Sequence, residues 1–132
     1  VYKNLNTGKL FVESDALGGK DPYSASKVGT EAVISAWQQI REVNGGPSIT
    51  AARAGNVIGG GDLAENRLMP DVARGLINGS EIRIRNSTAT RPWQHVLDPL
   101  TGYAMVAECH LAGKKIDSIN FGPTEKSISV KK

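Results

Sequence analysis

Asp21-Pro22-Tyr23-Ser24-Ala25-Ser26-Lys27, running on through Val28-Gly29-Thr30-Glu31-Ala32-Val33-Ile34-Ser35-Ala36-Trp37, is the stretch on which the reading of this chain turns. It has the marks of a helix start: Asp21 is a good N-cap, its carboxylate taking up orphan amides, and Pro22 suits the first helical turn. Apolar Ala25, Val28, Ala32, Val33, Ala36, Trp37 and Ile40 recur at helical spacing, and Asn44-Gly45-Gly46-Pro47 supplies the stop. The pattern therefore predicts a helix from Pro22 to Val43. On it Tyr23 and Lys27 share a face, one turn or roughly 6 Å apart. A phenol is a poor base at neutral pH, and a neighbouring ammonium favours its ionised form. A Tyr-x-x-x-Lys pair can thus act as general acid/base on a substrate hydroxyl. Taken alone, the pair fits a solvated helix face at least as well, and the surrounding chain has to decide.

Before this helix, residues 1–20 mix asparagines, glycines and lysines around a brief apolar cluster, Leu10-Phe11-Val12, and read as a long surface loop. After it, Ser48 to Ala54 is short, β-compatible and bounded by glycine and proline, the pattern of a buried strand. It feeds a glycine-rich turn, Gly55-Asn56-Val57-Ile58-Gly59-Gly60-Gly61-Asp62, which either lets a ligand approach the backbone or only serves unusual dihedrals. The turn is neither the Gly-x-Gly-x-x-Gly dinucleotide fingerprint nor a P-loop. A second helix is expected from Asn66, with Pro70 in its first turn and a stripe of Leu68, Met69, Val72, Ala73, Leu76 and Ile77. Ile82-Arg83-Ile84-Arg85 alternates as a half-exposed strand, and Trp93 to Val96 reads as a short one. Asp98-Pro99 opens a third helix running to Gly113, Ile116 to Phe121 is a strand, and Ser127 to Val130 is ambiguous.

With 132 residues, 39% hydrophobic and 22% charged, the chain is ordinary for one soluble domain. The net charge of +3 comes from 16 basic and 13 acidic residues scattered along the sequence, which does not point to nucleic acid. Cys109 is the single cysteine, so no internal disulfide framework exists, and a reducing compartment is expected. No apolar run reaches a membrane span and no leader is evident. His95 and His110 lack the spacing and the partners of a metal pair, so no metal is expected. His95, Cys109, Trp37 and Trp93 read first as packing residues. The start at Val1-Tyr2 and the end at Lys131-Lys132 suggest a piece of a longer protein.

Four features recur in one order: Tyr-x-x-x-Lys opening a long helix, a strand leading into Arg53-Ala54-Gly55-Asn56-Val57-Ile58-Gly59-Gly60-Gly61-Asp62, the segment Arg91-Pro92-Trp93-Gln94-His95-Val96, and Asn120-Phe121-Gly122-Pro123. In that order they resemble the extended short-chain dehydrogenase/reductase family, specifically its sugar-nucleotide dehydratases, across essentially the whole chain. The resemblance implies part of a Rossmann-like α/β fold with mostly parallel strands and long helices. Residues 1–132 would form a single partial domain, the C-terminal half of the Rossmann-like domain plus part of the sugar-nucleotide-binding region. It also implies NAD as cofactor, a nucleotide-sugar substrate, CDP-glucose, and a cytoplasmic location. A homodimer through the Tyr23 helix follows too, with Trp37 and Ile40 at its interface.

By the same resemblance Tyr23 is the base on the sugar 4-hydroxyl, and Lys27 supports it and bonds the nicotinamide ribose. Gly55 lies toward the nicotinamide end, while Asn56, Arg67 and Arg91 contact the substrate through its diphosphate. A guanidinium fork suits phosphate, but Arg67 and Arg91 also read as surface arginines, and Arg85 either joins them or is a solvated strand residue. The family's Gly-x-x-Gly-x-x-Gly loop for NAD does not occur in this sequence. Its substrate-orienting Ser/Thr and its Asp-Lys acid/base pair are expected just ahead of Val1. The isolated chain is therefore expected to be inactive. Two other readings stay open: a non-catalytic module that self-associates, and a fragment of a related epimerase or reductase, since Tyr23 and Lys27 serve all of these.

Overall fold

The computed structural model describes residues 1–4, 9–84, 86–123 and 128–130. In chain order the elements are α1 (Pro22–Asn44), β1 (Ala51–Ala54), β2 (Asn56–Ile58), α2 (Leu68–Asn78), β3 (Thr90–Arg91), β4 (Trp93–His95), α3 (Leu97–Leu111), β5 (Ser118–Phe121) and β6 (Ile128–Ser129). The strands form three pairs among the described residues: β1 with β5, β2 with β4, and β3 with β6. The chain divides into two compact units, one of residues 1–53 and 102–120, the other of residues 54–101 and 121–132.

In the first unit α1 starts where its cap residues dictate. The Asp21 carboxylate accepts from the Tyr23 and Ser24 amides, both at 3.0 Å, and the Ser24 hydroxyl accepts in return from the Asp21 amide at 3.2 Å. This reciprocal capping box satisfies donors that a helix start otherwise leaves open. The helix ends at Gly45, whose amide bonds the Arg41 carbonyl at 2.8 Å with φ at +74°, a left-handed value that favours glycine. Hydrogen bonds, foremost from the Ser24 hydroxyl, hold the Asp21 carboxyl below its usual range. Its contribution to stability is thus complete above about pH 4 and is lost as pH falls through the lowered value. On acidification the Tyr23 and Ser24 amide resonances are expected to shift with a midpoint below that ordinary value, and Asp21→Asn should remove the transition. A midpoint at or above the ordinary value would contradict the box.

The face that α1 turns inward is not the one its apolar spacing predicts. Half-buried positions are Ser24, Val28, Glu31, Ile34, Gln38 and Arg41, three or four residues apart, whereas Val33, Trp37 and Ile40 are exposed, Trp37 by 57%. Polar tethers replace apolar burial along this stripe. Gln38 donates to the Ile49 and Asp117 carbonyls at 3.1 and 2.7 Å, and Arg41 to the Gly46 carbonyl and Ser48 hydroxyl. The Lys115 ammonium pairs with Glu42 and lies 3.6 Å from Asp117. On α3, His110 Nε2 lies 2.9 Å from the Thr50 hydroxyl, which itself donates to the Ile116 carbonyl at 2.6 Å. Among described hydrophobic residues only Ala51 is fully buried, so β1 is a strand but not the fully buried one that its sequence predicts. Cys109 is a half-buried free thiol. The described residues of the opening segment are irregular and mostly exposed, as expected of a surface loop, and are tied down at one point: Tyr2 and Leu17 form an antiparallel bridge, and the Tyr2 ring stacks on Phe11 at 5.0 Å.

In the second unit β2 occupies residues read from sequence as a turn. It pairs in parallel with β4, aligning Asn56 with Trp93, Val57 with Gln94 and Ile58 with His95. The flanking glycines permit this closeness: a Cβ at Gly59 would sit 2.9 Å from Val96 Cγ1, and one at Gly55 3.0 Å from Pro92 Cγ. Gln94, the buried polar residue of this pair, donates to the Phe121 carbonyl at 3.1 Å. Residues 81–84 form no strand, and Arg85 lies outside the described residues. The short β6 instead pairs antiparallel with β3, Arg91 opposite Ile128. His95 is exposed rather than packed, with its Nδ1 accepting from the Leu97 amide at 3.3 Å. Helix α3 begins one residue before Asp98, whose carboxylate accepts from the His95 amide at 3.1 Å. Among the described residues no helix is long and apolar enough to cross a membrane.

Candidate functional site

The six residues singled out from sequence fall into two sets. Tyr23 and Lys27 lie in the first unit, at the N-terminal end of α1. The capping box fixes the first turn, and helical geometry then places Lys27 above Tyr23, its ammonium 5.5 Å from the centre of the phenol ring. Both side chains are exposed, Tyr23 by 71%, so a substrate hydroxyl can reach the phenol. A positive charge beside an accessible phenol is the arrangement that proton transfer to and from a hydroxyl needs.

Gly55, Asn56, Arg67 and Arg91 lie in the second unit. Gly55 and Asn56 enter β2 directly against the segment Arg91-Pro92-Trp93, since Asn56 is aligned with Trp93 and Gly55 abuts Pro92. Asn56 and Arg91 are both exposed there. The Arg91 guanidinium donates to the Thr90 carbonyl at 3.0 Å, which leaves most of its five donors directed elsewhere. Arg67 stands at the N-cap position of α2 with no side-chain cap bond, 3.6 Å from the Asp62 carboxylate and 70% exposed. A helix start next to an arginine favours an anion, although Asp62 already meets part of that charge. The missing side chain of Gly55 has a packing reason in Pro92, independent of any cofactor.

Sequence reasoning assigned no role to Glu31 and Arg53, which form the best-enclosed ion pair among the described residues of the first unit. Arg53 Nε meets Glu31 Oε1 at 2.8 Å and its terminal nitrogen meets Oε2 at 2.9 Å, with side-chain exposures of 12% and 11%. A second terminal nitrogen of Arg53 donates to the Tyr2 hydroxyl at 2.8 Å and to the Glu13 carbonyl at 3.1 Å. The Tyr2 hydroxyl in turn donates to Asn120 Oδ1 at 2.6 Å, and the Asn120 backbone amide donates to the Glu13 carboxylate at 2.7 Å. That amide is the chief reason the Glu13 carboxyl sits below its usual range. Bonding to Glu31, ahead of the other influences, raises the Arg53 guanidinium above its ordinary value, so it stays charged at every accessible pH. A signal was present in the sequence: Arg53 is the one charged residue in the strand Ala51–Ala54, and a charge there demands a partner. A cleft lined by Gln38, Arg41, Ser48, Ile49, His110 and Lys115 has room for little more than a water. It lies fifteen residues along α1 from Tyr23, about 22 Å, and is separate from the phenol.

Comparison with known proteins adds an independent line. The family model described as NAD dependent epimerase/dehydratase family matches residues 1–122. CDP-glucose 4,6-dehydratase of Salmonella typhimurium is 44% identical over 132 residues, covering 95% of this chain and 37% of that protein. Among solved structures, TunA, an NAD-dependent NDP-hexosamine 5,6-dehydratase of tunicamycin biosynthesis, superposes with a TM-score of 0.76 at 26% identity, over 91% of this chain and 37% of that one. DesIV, a dTDP-glucose 4,6-dehydratase from Streptomyces venezuelae solved with NAD and TYD bound, gives a TM-score of 0.73 at 25% identity, over 90% and 34%. The chain thus spans little more than a third of the length of each. The fold is the Rossmann-like α/β fold of these enzymes.

Proposed function

The chain belongs to the NAD-dependent epimerase/dehydratase family, and from that premise we propose that it is the part of a CDP-glucose 4,6-dehydratase that carries the proton-transferring tyrosine and the diphosphate contacts. The observation that carries this reading is the exposed Tyr23 phenol with the Lys27 ammonium 5.5 Å from its ring. The 44% identity to the Salmonella enzyme supports CDP-glucose as the substrate.

In this account Tyr23 takes the proton from the sugar 4-hydroxyl, and Lys27 keeps a positive charge against the phenol and reaches the nicotinamide ribose. NAD, when bound, would supply the hydride acceptor and donor for this chemistry. Tyr23 and Lys27 fit the ribose end of that cofactor because both are accessible on one helical face, and Gly55 would border the nicotinamide. Asn56, Arg67 and Arg91 hold the substrate diphosphate. No Gly-x-x-Gly-x-x-Gly loop for the pyrophosphate occurs in the sequence, so the 132 residues alone are expected to be inactive. A single-chain fusion placing the N-terminal part of the Salmonella relative ahead of Val1 is expected to convert CDP-glucose to its 4-keto-6-deoxy product. A cytoplasmic location belongs to the same reading, and the free thiol of Cys109 is compatible with a reducing compartment.

Binding offers a direct test on the chain itself. Titrated with CDP-glucose, its amide resonances at Asn56, Arg67 and Arg91 are expected to shift. Arg91→Gln should weaken binding by about tenfold or more, the worth of charge-assisted bonds to phosphate. Absent shifts, or equal affinity in the variant, would remove the diphosphate role.

The exposed Val33, Trp37 and Ile40 support a homodimer through α1. The same apolar surface favours a second reading, a non-catalytic module that self-associates. Sedimentation of the chain separates them: a tight dimer that binds neither CDP-glucose nor NAD favours the module.

A further inference from the structure

We propose that Glu31 and Arg53 are positioning residues whose bidentate pair sets the rotation of α1 about its own axis, and through it the direction in which Tyr23 and Lys27 face. The proposal rests on the reading of Tyr23 as the proton-transferring group.

Four observations carry it. Tyr23, Lys27 and Glu31 follow one another at four-residue steps, so they advance along one side of a single rigid rod. None of the described α1 residues is fully buried, so little apolar packing fixes its rotation. The polar tethers of the C-terminal half come from Gln38 and Arg41, whereas the tether of the N-terminal half comes from Glu31. Finally, the other end of that tether is itself immobilised. The Arg53 guanidinium also bonds the Tyr2 hydroxyl and the Glu13 carbonyl, lies 5.3 Å from the centre of the Tyr2 ring, and through Tyr2 is linked to Asn120 on β5.

Two parallel bonds from a planar fork fix direction as well as distance, which one bond from an ammonium does not. The leverage is considerable. A rotation of about 20° moves a side-chain atom lying about 6 Å from the helix axis by roughly 2 Å. A misplacement of about 1 Å at a reacting group can cost about 10²-fold in rate.

The test uses backbone residual dipolar couplings of the 132-residue chain, comparing residues 23–31 with residues 51–53 of β1. Glu31→Gln keeps the shape of the side chain and removes its charge. It is expected to leave the helical circular dichroism unchanged while the couplings of residues 23–31 depart from the native orientation. Arg53→Lys, which keeps the charge and loses the fork, should give an intermediate departure and serves if Glu31→Gln does not fold. Gln38→Ala removes a tether from the other half of the helix and should leave residues 23–31 in place. In the fusion described above, Glu31→Gln should lower kcat by about 10²-fold with KM within about threefold. The proposal is overturned if the couplings in Glu31→Gln and Arg53→Lys fit the native orientation, if Gln38→Ala shifts them as much, or if the orientation shifts and kcat does not. Retained turnover in Tyr23→Phe would instead overturn the role of Tyr23 and leave the orientation result standing.

Discussion

Tyr23→Phe in the fusion is expected to lower kcat for CDP-glucose by roughly 10²- to 10⁴-fold, the usual worth of a positioned proton-transfer group, with KM within a few-fold. The substitution removes one hydroxyl from a side chain that is 71% exposed, so it should cost the fold almost nothing. The ring that lies 5.5 Å from Lys27 remains, and so does the helix start built by Asp21 and Ser24. A loss confined to kcat is the signature of an interaction made in the transition state rather than in binding. Lys27→Ala should follow the same pattern more weakly, because it removes the charge beside the phenol and leaves the phenol itself. Equal turnover by Tyr23→Phe would mean that the pair marks only a solvated helix face.

The second large effect concerns stability. Arg53→Ala is expected to destabilise the chain by about 3 kcal/mol, because removing one partner of an enclosed pair strands the other. Glu31 would keep a carboxylate that is only 11% exposed, and the Tyr2 hydroxyl and Glu13 carbonyl would lose their donor at the same time. Small domains hold only about 5–15 kcal/mol in total. This one has Ala51 as its only fully buried hydrophobic residue among those described, so the loss should show as a marked drop in the urea midpoint. A midpoint within experimental error of the parent would show that the pair contributes nothing net, as many surface pairs do.

Local chemistry was legible from the residues. The Asp21 cap, Pro22 in the first turn and the stop at Gly45 are decided by groups within a few residues of one another, and the helix forms with those ends. Pro70 in the first turn of α2 follows the same logic. What the sequence did not disclose depends on groups far apart. The inward face of α1 is chosen by Glu31, Gln38 and Arg41 reaching Arg53, Asp117 and Ser48, so its apolar spacing points to the wrong side. Ile82-Arg83-Ile84 alternates like a strand, yet it forms none, while β3 takes as its partner β6, from a segment too short for its own pattern to decide. Gly55 and Gly59 read as turn formers, but their lack of a side chain is used to bring β2 against Pro92 and Val96. The candidate site shows the same division. Tyr23 and Lys27 are close because a helix makes them so, whereas Asn56 and the Arg91 segment are close only because β2 and β4 pair.

The measurement that bears most directly on the whole account is product detection by mass spectrometry after incubating CDP-glucose and NAD with the 132-residue chain, and in parallel with the fusion. The account predicts intact CDP-glucose with the chain alone and loss of water from the sugar with the fusion. Turnover by the chain alone would contradict it, since the residues present would then suffice without the loop that the sequence lacks.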